Sequence, residues 1–335
     1  MEYLRLFNWY YDNKRDLPFR KTNDPYHIWV SEIMLQQTQV DTMLPFYERF
    51  LRIFPTIESL AHANIEEVLR VVQGIGYYKR FRMLHKGAQY VINNHYGKLP
   101  DEYQAIIKIP GIGPYTAGAI LSIAFNKPFA ATDGNVIRVL SRKYQIDDDF
   151  RVNKNKIKLD KFNQSLIEQS NDPYTYTQSM MELGAMVCKP QNPLCKTCPF
   201  GNVCLANLNN VWKDYPKMSK LKEKKEIHYF AFIIKSKDGF LMRKRTEDLL
   251  HGFYEFIQVE ADSLNGALNQ LYDIGLDIQI EEELNPVKHI FTHLVWHIKL
   301  YRAFLTNKTD LFERVSDFKT VPVSTVVKKQ IVQIK

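Results

Sequence analysis

Cysteine is scarce: 335 residues contain only four, all between Cys188 and Cys204. A secreted protein of this size would spread its cysteines as staples, so a disulfide scaffold is excluded. No apolar run approaches the roughly 20 residues needed to cross a bilayer. The cleanest, Ala117 to Phe125, is far too short. The start, Met1-Glu2-Tyr3-Leu4-Arg5, lacks the basic-then-apolar order of a secretory signal. Internal repeats and low-complexity tracts are absent too. These absences predict a soluble, cytoplasmic protein without a membrane partner. With 45% hydrophobic and 24% charged residues the chain reads as globular rather than disordered. Its length calls for two domains or more.

What is present begins with charge. Lys and Arg outnumber Asp and Glu by 45 to 37, a formal net charge of +8. That balance favours a polyanionic partner, because each phosphate met by Lys or Arg releases counterions. The four cysteines are spaced C-x6-C-x2-C-x5-C. Such crowding in one short stretch reads as a metal site, and four thiolates can complete either a [4Fe–4S] cluster or a structural zinc site. The long first gap and the odd last gap fit poorly with the paired spacing of zinc ribbons.

From Glu2 to about Gln178 helical periods alternate with Pro, Gly and Asn-Asp breaks. Asp24-Pro25 predicts a helix start, with Asp as N-cap and Pro at the first helical position. Apolar residues recur through Ile28, Trp29, Ile33 and Leu35, and Pro45 is expected to bend or end the run. Further helical patterns cover Ile65 to Val72, Tyr103 to Ile109, Tyr115 to Phe125, Val136 to Tyr144 and Lys156 to Gln169. Asn207 to Glu226 is rich in Asn and Lys, with Lys217, Lys220, Lys222, Lys224 and Lys225 close together, and reads as an exposed basic linker. Beyond it, Tyr229–Ile234 and Leu294–Tyr301 predict strands flanking a helical stretch from Ala267 to Tyr272. A mainly α N-terminal domain (1–206), a linker (207–226) and an α+β C-terminal domain (227–335) follow.

Three features carry chemistry. Ile109-Pro110-Gly111-Ile112-Gly113-Pro114-Tyr115 joins two helical patterns through a Gly-x-Gly turn. Glycine lets the backbone turn tightly and approach a ligand, and amides at the second helix's start favour a phosphate oxygen. Gly-x-Gly alone suits a plain helix corner at least as well; the apolar flanks and the basic chain turn the reading toward phosphate. Glu32 stands among Ile28, Leu35 and Gln36 at helical spacings of three and four. A carboxyl held against apolar groups favours its neutral form and suits a general acid, although a Glu at the edge of an amphipathic face is common. Asp133, in Thr132-Asp133-Gly134-Asn135-Val136, precedes a helical run; as a cap it is expected to stay ionised. Capping is an ordinary use of Asp, yet one neutral and one charged carboxyl is what glycosidic cleavage requires.

Taken together and in this order, the Ser31–Gln39 segment, Gly74-Ile75-Gly76-Tyr77-Tyr78, the hairpin, Asp133-Gly134-Asn135-Val136 and the cysteine loop resemble the endonuclease III superfamily of helix-hairpin-helix glycosylases. Within it the chain resembles the adenine-specific MutY family over nearly its whole length. The resemblance implies that Glu32 protonates adenine, that Asp133 stabilises or captures the sugar cation, and that Tyr115 and Asn135 position them. Arg20 would line the adenine pocket, with Phe19 where the family has Trp. Gln37 and Tyr77 would be wedged beside the orphaned oxidised guanine, and Gly111 and Gly113 would hold backbone phosphate. Cys188, Cys195, Cys198 and Cys204 would ligate a [4Fe–4S] cluster. The partner implied is double-stranded DNA with adenine opposite 8-oxoguanine or guanine, bound by a monomeric, nucleoid-associated bacterial enzyme.

Bifunctional members carry a Lys nucleophile where Tyr115 stands, and a phenol cannot form their Schiff base. A monofunctional glycosylase leaving an abasic site is therefore expected. The C-terminal part resembles a Nudix-like domain. Aligning its Arg-Glu…Glu-Glu box on Gly275 puts Leu268, Asn269, Tyr272 and Asp273 at those positions, so the metal-binding carboxylates are mostly absent and nucleotide hydrolysis is not expected. Phe291-Thr292-His293 matches the family's lesion-touching loop, with Thr for the usual Ser. The alternatives are a lyase acting on oxidised pyrimidines and a non-catalytic damage-binding protein.

Overall fold

The computed structural model describes residues 2–220 and 223–334. The chain divides into two compact units, one of residues 1–62 and 83–220, the other of residues 63–82 and 221–335. Among the described residues no helix is long and apolar enough to cross a membrane.

The first unit is helical: α1 (Glu2–Asn13), α2 (Pro25–Leu35), α3 (Val40–Ile53) and α4 (Ile57–His62) precede the excursion into the second unit. There α5 (Ile65–Val71) leads to α6 (Lys79–His95), whose later turns return to the first unit. Then follow α7 (Tyr103–Ile106), α8 (Pro114–Phe125), α9 (Gly134–Tyr144), α10 (Asn153–Gln169), α11 (Pro173–Met186) and the short α12 (Leu205–Leu208). One core joins Leu6 of α1, Val136 and Leu140 of α9, Leu159 and Ile167 of α10 and Leu183 of α11.

Caps behave as their local sequences dictate. Asp24 accepts the Tyr26 amide at 2.8 Å with Pro25 at the first helical position. The expectation for Pro45 is corrected. The run breaks earlier, at Gln36 to Gln39, where Gln37 takes a left-handed φ of 59°. Pro45 lies inside α3, whose buried Met43, Tyr47 and Phe50 hold that helix across the one bond Pro cannot make. The helical reading over Tyr103 to Ile109 shortens to α7, because the chain turns from Ile107 into the glycine hairpin.

The second unit is a six-stranded sheet in the order β4-β5-β1-β3-β2-β6. Its strands are β1 (Lys225–Ser236), β2 (Gly239–Lys244), β3 (Tyr254–Glu260), β4 (Ile278–Ile290), β5 (Leu294–Leu305) and β6 (Glu313–Val315). β1 and β5 run parallel and the other named pairs antiparallel. Helix α13 (Leu264–Asp273) covers one face through Ala267 and Leu271; α14 (Thr325–Ile331) covers the other through Val326 and Val327. The predicted strands and helix all lie within these longer elements. Residues 63–82 dock on this sheet: Gln73 Nε2 donates to the Val323 carbonyl at 2.7 Å, and the Tyr78 and Phe253 rings meet at 4.2 Å.

Part of the basic segment is built into the first unit. Arg142 Nε donates to the carbonyls of Trp212 and Tyr215, both at 3.1 Å, and Phe150 N donates to the Lys217 carbonyl. Lys224 and Lys225 stand at the start of β1, where Lys224 Nζ donates to the Phe291 carbonyl at 2.8 Å. Lys222 lies outside the described residues.

Candidate active site

The hairpin positions α8. Gly111 adopts φ +85°, and a Cβ there would stand 2.9 Å from Met83 Cβ, so only glycine fits. Gly113 caps α8 with an ordinary φ of −93°, and the space where its Cβ would lie is open. Nothing internal requires glycine at that point, whereas an approaching ligand at the helix start would.

At the second position of α8, Tyr115 Oη donates to Glu32 Oε2 at 2.5 Å. Glu32 projects from α2 and is 5% exposed. Burial lifts its carboxyl to about 7, against the Tyr115 bond and the Arg20 charge, which pull it down; the nearby Asp133 charge adds to the rise. Burial, with Glu32 facing it, likewise keeps the Tyr115 phenol protonated.

Asp133 is the N-cap of α9, its Oδ1 accepting the Val136 amide at 2.8 Å and its Oδ2 accepting Asn135 Nδ2 at 2.7 Å. Asp133 caps α9 as expected, and its surroundings act on its charge from two directions. Burial raises its pKa above the ordinary value, outweighing the Val136 amide, the Asn135 bond and the Arg138 charge. The two carboxyls are close enough that the Asp133 charge raises Glu32.

Arg20 ends a short 3-10 turn, Pro18–Arg20, and its guanidinium donates to Glu182 Oε2 at 2.7 Å. Glu182 on α11 is fully buried; Arg15 grips it from Nε at 3.0 Å and from NH2 at 2.6 Å. Burial would raise this carboxyl, but the bonds from Arg20 and Arg15 prevail and hold it at about 2. Sequence reading missed Glu182 and Arg15. The signal available was a carboxylate inside the apolar turn Met180-Met181-Glu182-Leu183 just before the first cysteine.

Arg138 and Arg142, one turn apart on α9, were missed as well. Arg138 NH2 donates to Asn135 Oδ1 at 2.8 Å and to the Gly184 carbonyl at 2.7 Å, and its Nε donates to the Cys188 carbonyl at 2.6 Å. Arg142 NH1 reaches Cys188 Sγ at 3.5 Å and the Lys189 carbonyl at 2.6 Å. The four cysteines line one pocket with Arg142 and Trp212. Gly201 lets its loop close, since a Cβ there would stand 2.7 Å from the Cys195 carbonyl oxygen. Burial pushes the Cys198 thiol up to about 12 and raises Cys195 and Cys204. Thiols gathered this way gain from a metal centre that binds them as thiolates. Among the described residues no group of three or more ligands is placed to hold a single ion.

In the second unit, Phe291-Thr292-His293 forms the turn between β4 and β5, closed by Phe291 N donating to the Leu294 carbonyl at 2.8 Å. The Phe291 ring packs on Trp296 at 4.8 Å, leaving Thr292 and His293 exposed. Thr292 Oγ1 lies 2.7 Å from Tyr77 Oη, so the Gly74–Tyr78 turn and this loop meet. Tyr77 takes φ 52° and is 47% exposed. Gln37, also left-handed and exposed, belongs to the first unit.

The helical first unit and the sheet of the second match two different families of known proteins. The family profile of the HhH-GPD superfamily base excision DNA repair protein matches residues 30–169, and a NUDIX domain profile matches residues 229–333. The adenine DNA glycosylase of Buchnera aphidicola subsp. Acyrthosiphon pisum is 36% identical over 299 residues, covering 88% of this chain and 83% of that protein. The human adenine DNA glycosylase is 41% identical over 210 residues, 60% of this chain and 38% of that one. A thermostable thymine-DNA glycosylase structure aligns with TM-score 0.55 at 26% identity, over 62% of this chain and 95% of that one. Endonuclease III bound non-covalently to DNA shares the fold, with TM-score 0.52 at 22% identity over 62% of this chain and 94% of that one. The chain belongs to the adenine DNA glycosylase family, enzymes of base excision repair.

Proposed function

We propose that the chain excises adenine lying opposite 8-oxoguanine, or opposite guanine, in duplex DNA by hydrolysing the N-glycosidic bond and leaving an uncut abasic site. The observation that carries this reading is Glu32: a buried carboxyl poised near neutrality, bonded to a phenol and facing a second carboxyl. Near pH 7 a substantial fraction of Glu32 is protonated, so it can deliver a proton to the leaving base. Asp133, steadied by Val136 and Asn135, then faces the positive charge that grows on the sugar, and Glu32 as carboxylate activates water. Adenine must leave the stack to reach the pocket, and Arg20, fixed by Glu182, would line it.

Tyr115 supports the monofunctional reading: a phenol that stays protonated is no amine nucleophile and cannot drive strand cleavage through a Schiff base. Gly111 and Gly113 would present the α8 amides to a backbone phosphate. Tyr77 and Gln37 would fill the gap beside the orphaned base, and Thr292, within Phe291-Thr292-His293, would touch the oxidised guanine. Cys188, Cys195, Cys198 and Cys204 would hold a [4Fe–4S] cluster, which would supply a structural tie for the loop while Arg142 and Arg138 anchor it to α9.

The test is single-turnover cleavage of duplexes holding adenine opposite 8-oxoguanine, adenine opposite thymine, or thymine glycol, each product run with and without alkali. Strand breaks at adenine opposite 8-oxoguanine that need alkali are expected. Breaks at thymine glycol without alkali would establish the pyrimidine lyase instead, and binding without base loss a damage sensor.

A further inference from the structure

Asp133 is delivered by the irregular segment Phe129–Thr132 between α8 and α9, and that segment is held by a polar set the reaction does not use. On one side the Ala130 carbonyl oxygen lies against Gly118 of α8, where an added Cβ would stand 1.9 Å away. On the other side α10 supplies three partners. Ala130 N donates to Gln164 Oε1 at 2.9 Å, Thr132 Oγ1 donates to Asp160 Oδ1 at 2.6 Å, and Asn163 Nδ2 donates to Thr132 Oγ1 at 3.0 Å. Asn163 is 1% exposed, and its Oδ1 accepts from Tyr176 Oη of α11 at 2.7 Å.

The proton bookkeeping leaves one solution. The Thr132 hydroxyl has a single proton, which goes to the Asp160 carboxylate, so toward Asn163 it can only accept. The Asn163 amide must therefore turn its NH2 to Thr132 and its oxygen to Tyr176. Thr132 is β-branched and stiff, so holding its Oγ1 holds its backbone, and Asp133 follows directly. We propose that Asn163 is a positioning residue for the reaction: through Thr132 it sets where the Asp133 carboxylate meets the developing sugar cation. This rests on the role proposed above for Asp133.

The experiment compares Asn163→Asp and Tyr176→Phe with the unaltered enzyme, and Asp133→Asn as reference. Asn163→Asp keeps the shape and, as a carboxylate, has no donor for Thr132. Four quantities are read: the single-turnover rate of adenine release at saturating enzyme, the substrate duplex Kd, the thermal midpoint, and the affinity ratio between duplexes carrying a cationic azasugar and a neutral tetrahydrofuran abasic analogue. That ratio reports the carboxylate's grip on positive charge, which a fold-wide loosening would not single out. For Asn163→Asp we expect adenine release to slow by about 10- to 100-fold, the scale of small displacements of a reacting group. The azasugar preference should collapse with it, while tetrahydrofuran and substrate duplexes bind as before. Tyr176→Phe, which frees Asn163 to rotate, should move the same readouts in the same direction less far, and it decides the question alone if Asn163→Asp does not fold. Unchanged release and unchanged preference overturn the proposal, as does equal weakening of both analogues in step with the thermal midpoint. If Asp133→Asn itself keeps the azasugar preference, the role of Asp133 falls, and the positioning role with it.

Discussion

Tyr115 Oη donates to Glu32 Oε2 at 2.5 Å, and this bond opposes the burial that lifts the Glu32 carboxyl to about 7. The phenol thus favours the charged form of the carboxyl proposed as the acid.

Removing that hydroxyl should release the restraint. A hydrogen bond to a charged group is worth about 1.5–3 kcal/mol, or roughly one to two pH units. In Tyr115→Phe the alkaline limb of the base-release profile, expected near pH 7 in the unaltered enzyme, should move up by about that amount. A limb that stays in place would remove Glu32 as the titrating acid.

Glu32 also makes a stability prediction whose sign is set by its raised value. The folded protein binds a proton that the unfolded chain, with its carboxyl near 4.5, gives up, so stability falls as pH rises from about 4.5 to about 7. The full difference amounts to about 3 kcal/mol. Glu32→Gln should therefore melt higher than the unaltered protein at pH 8 and nearly level with it at pH 4, while releasing no base. Equal melting differences at both pH values would contradict this account.

Glu182 predicts the reverse. Its folded value of about 2 lies below the ordinary 4.5, so its contribution is present above 4.5 and fades as pH falls toward 2. Glu182→Gln leaves Arg20 and Arg15 without their buried counter-charge and should cost about 3–5 kcal/mol at neutral pH. Chemical denaturation at pH 7 and pH 3 checks it; a cost that does not shrink in acid would rule the ion pairs out as its source.

Arg138 ties Asn135 beside the acid pair to the Cys188 carbonyl at the mouth of the cysteine loop. Arg138→Met keeps the aliphatic bulk and loses every one of those bonds. Base release should slow about tenfold or more, with duplex affinity nearly intact, because Asn135 loses its anchor and Asp133 its partner's orientation. Iron content and base release measured on the same preparation decide it, and full activity would make the arginine a loop fastener only.

Much of the site was legible because its signals are local. Asp24 and Asp133 cap their helices through amides two and three residues away, and capping depends on little beyond such neighbours. The cysteine spacing and the Gly-x-Gly turn are likewise written in a few consecutive positions. Residue type at 115 is enough to exclude an amine nucleophile. Less legible was the break before α3, since whether Gln36–Gln39 or Pro45 ends a helix depends on which side chains the core takes in.

Long-range pairing was out of reach. Glu182 finds Arg15 and Arg20 across 167 and 162 positions. Asn163 finds Thr132 across 31, and Gln73 joins residues 63–82 to the sheet unit across 250. No short-range period encodes such pairs.

The sequence by itself determined the chemistry on hand: two carboxyls, a phenol, a glycine hairpin and four thiols, each in a local setting that its neighbours specify. Tertiary structure decided their protonation. Burial of Glu32 joins α2 to α8 across the 83 positions between Glu32 and Tyr115, and desolvation depends on everything packed around a group rather than on the residues beside it in sequence.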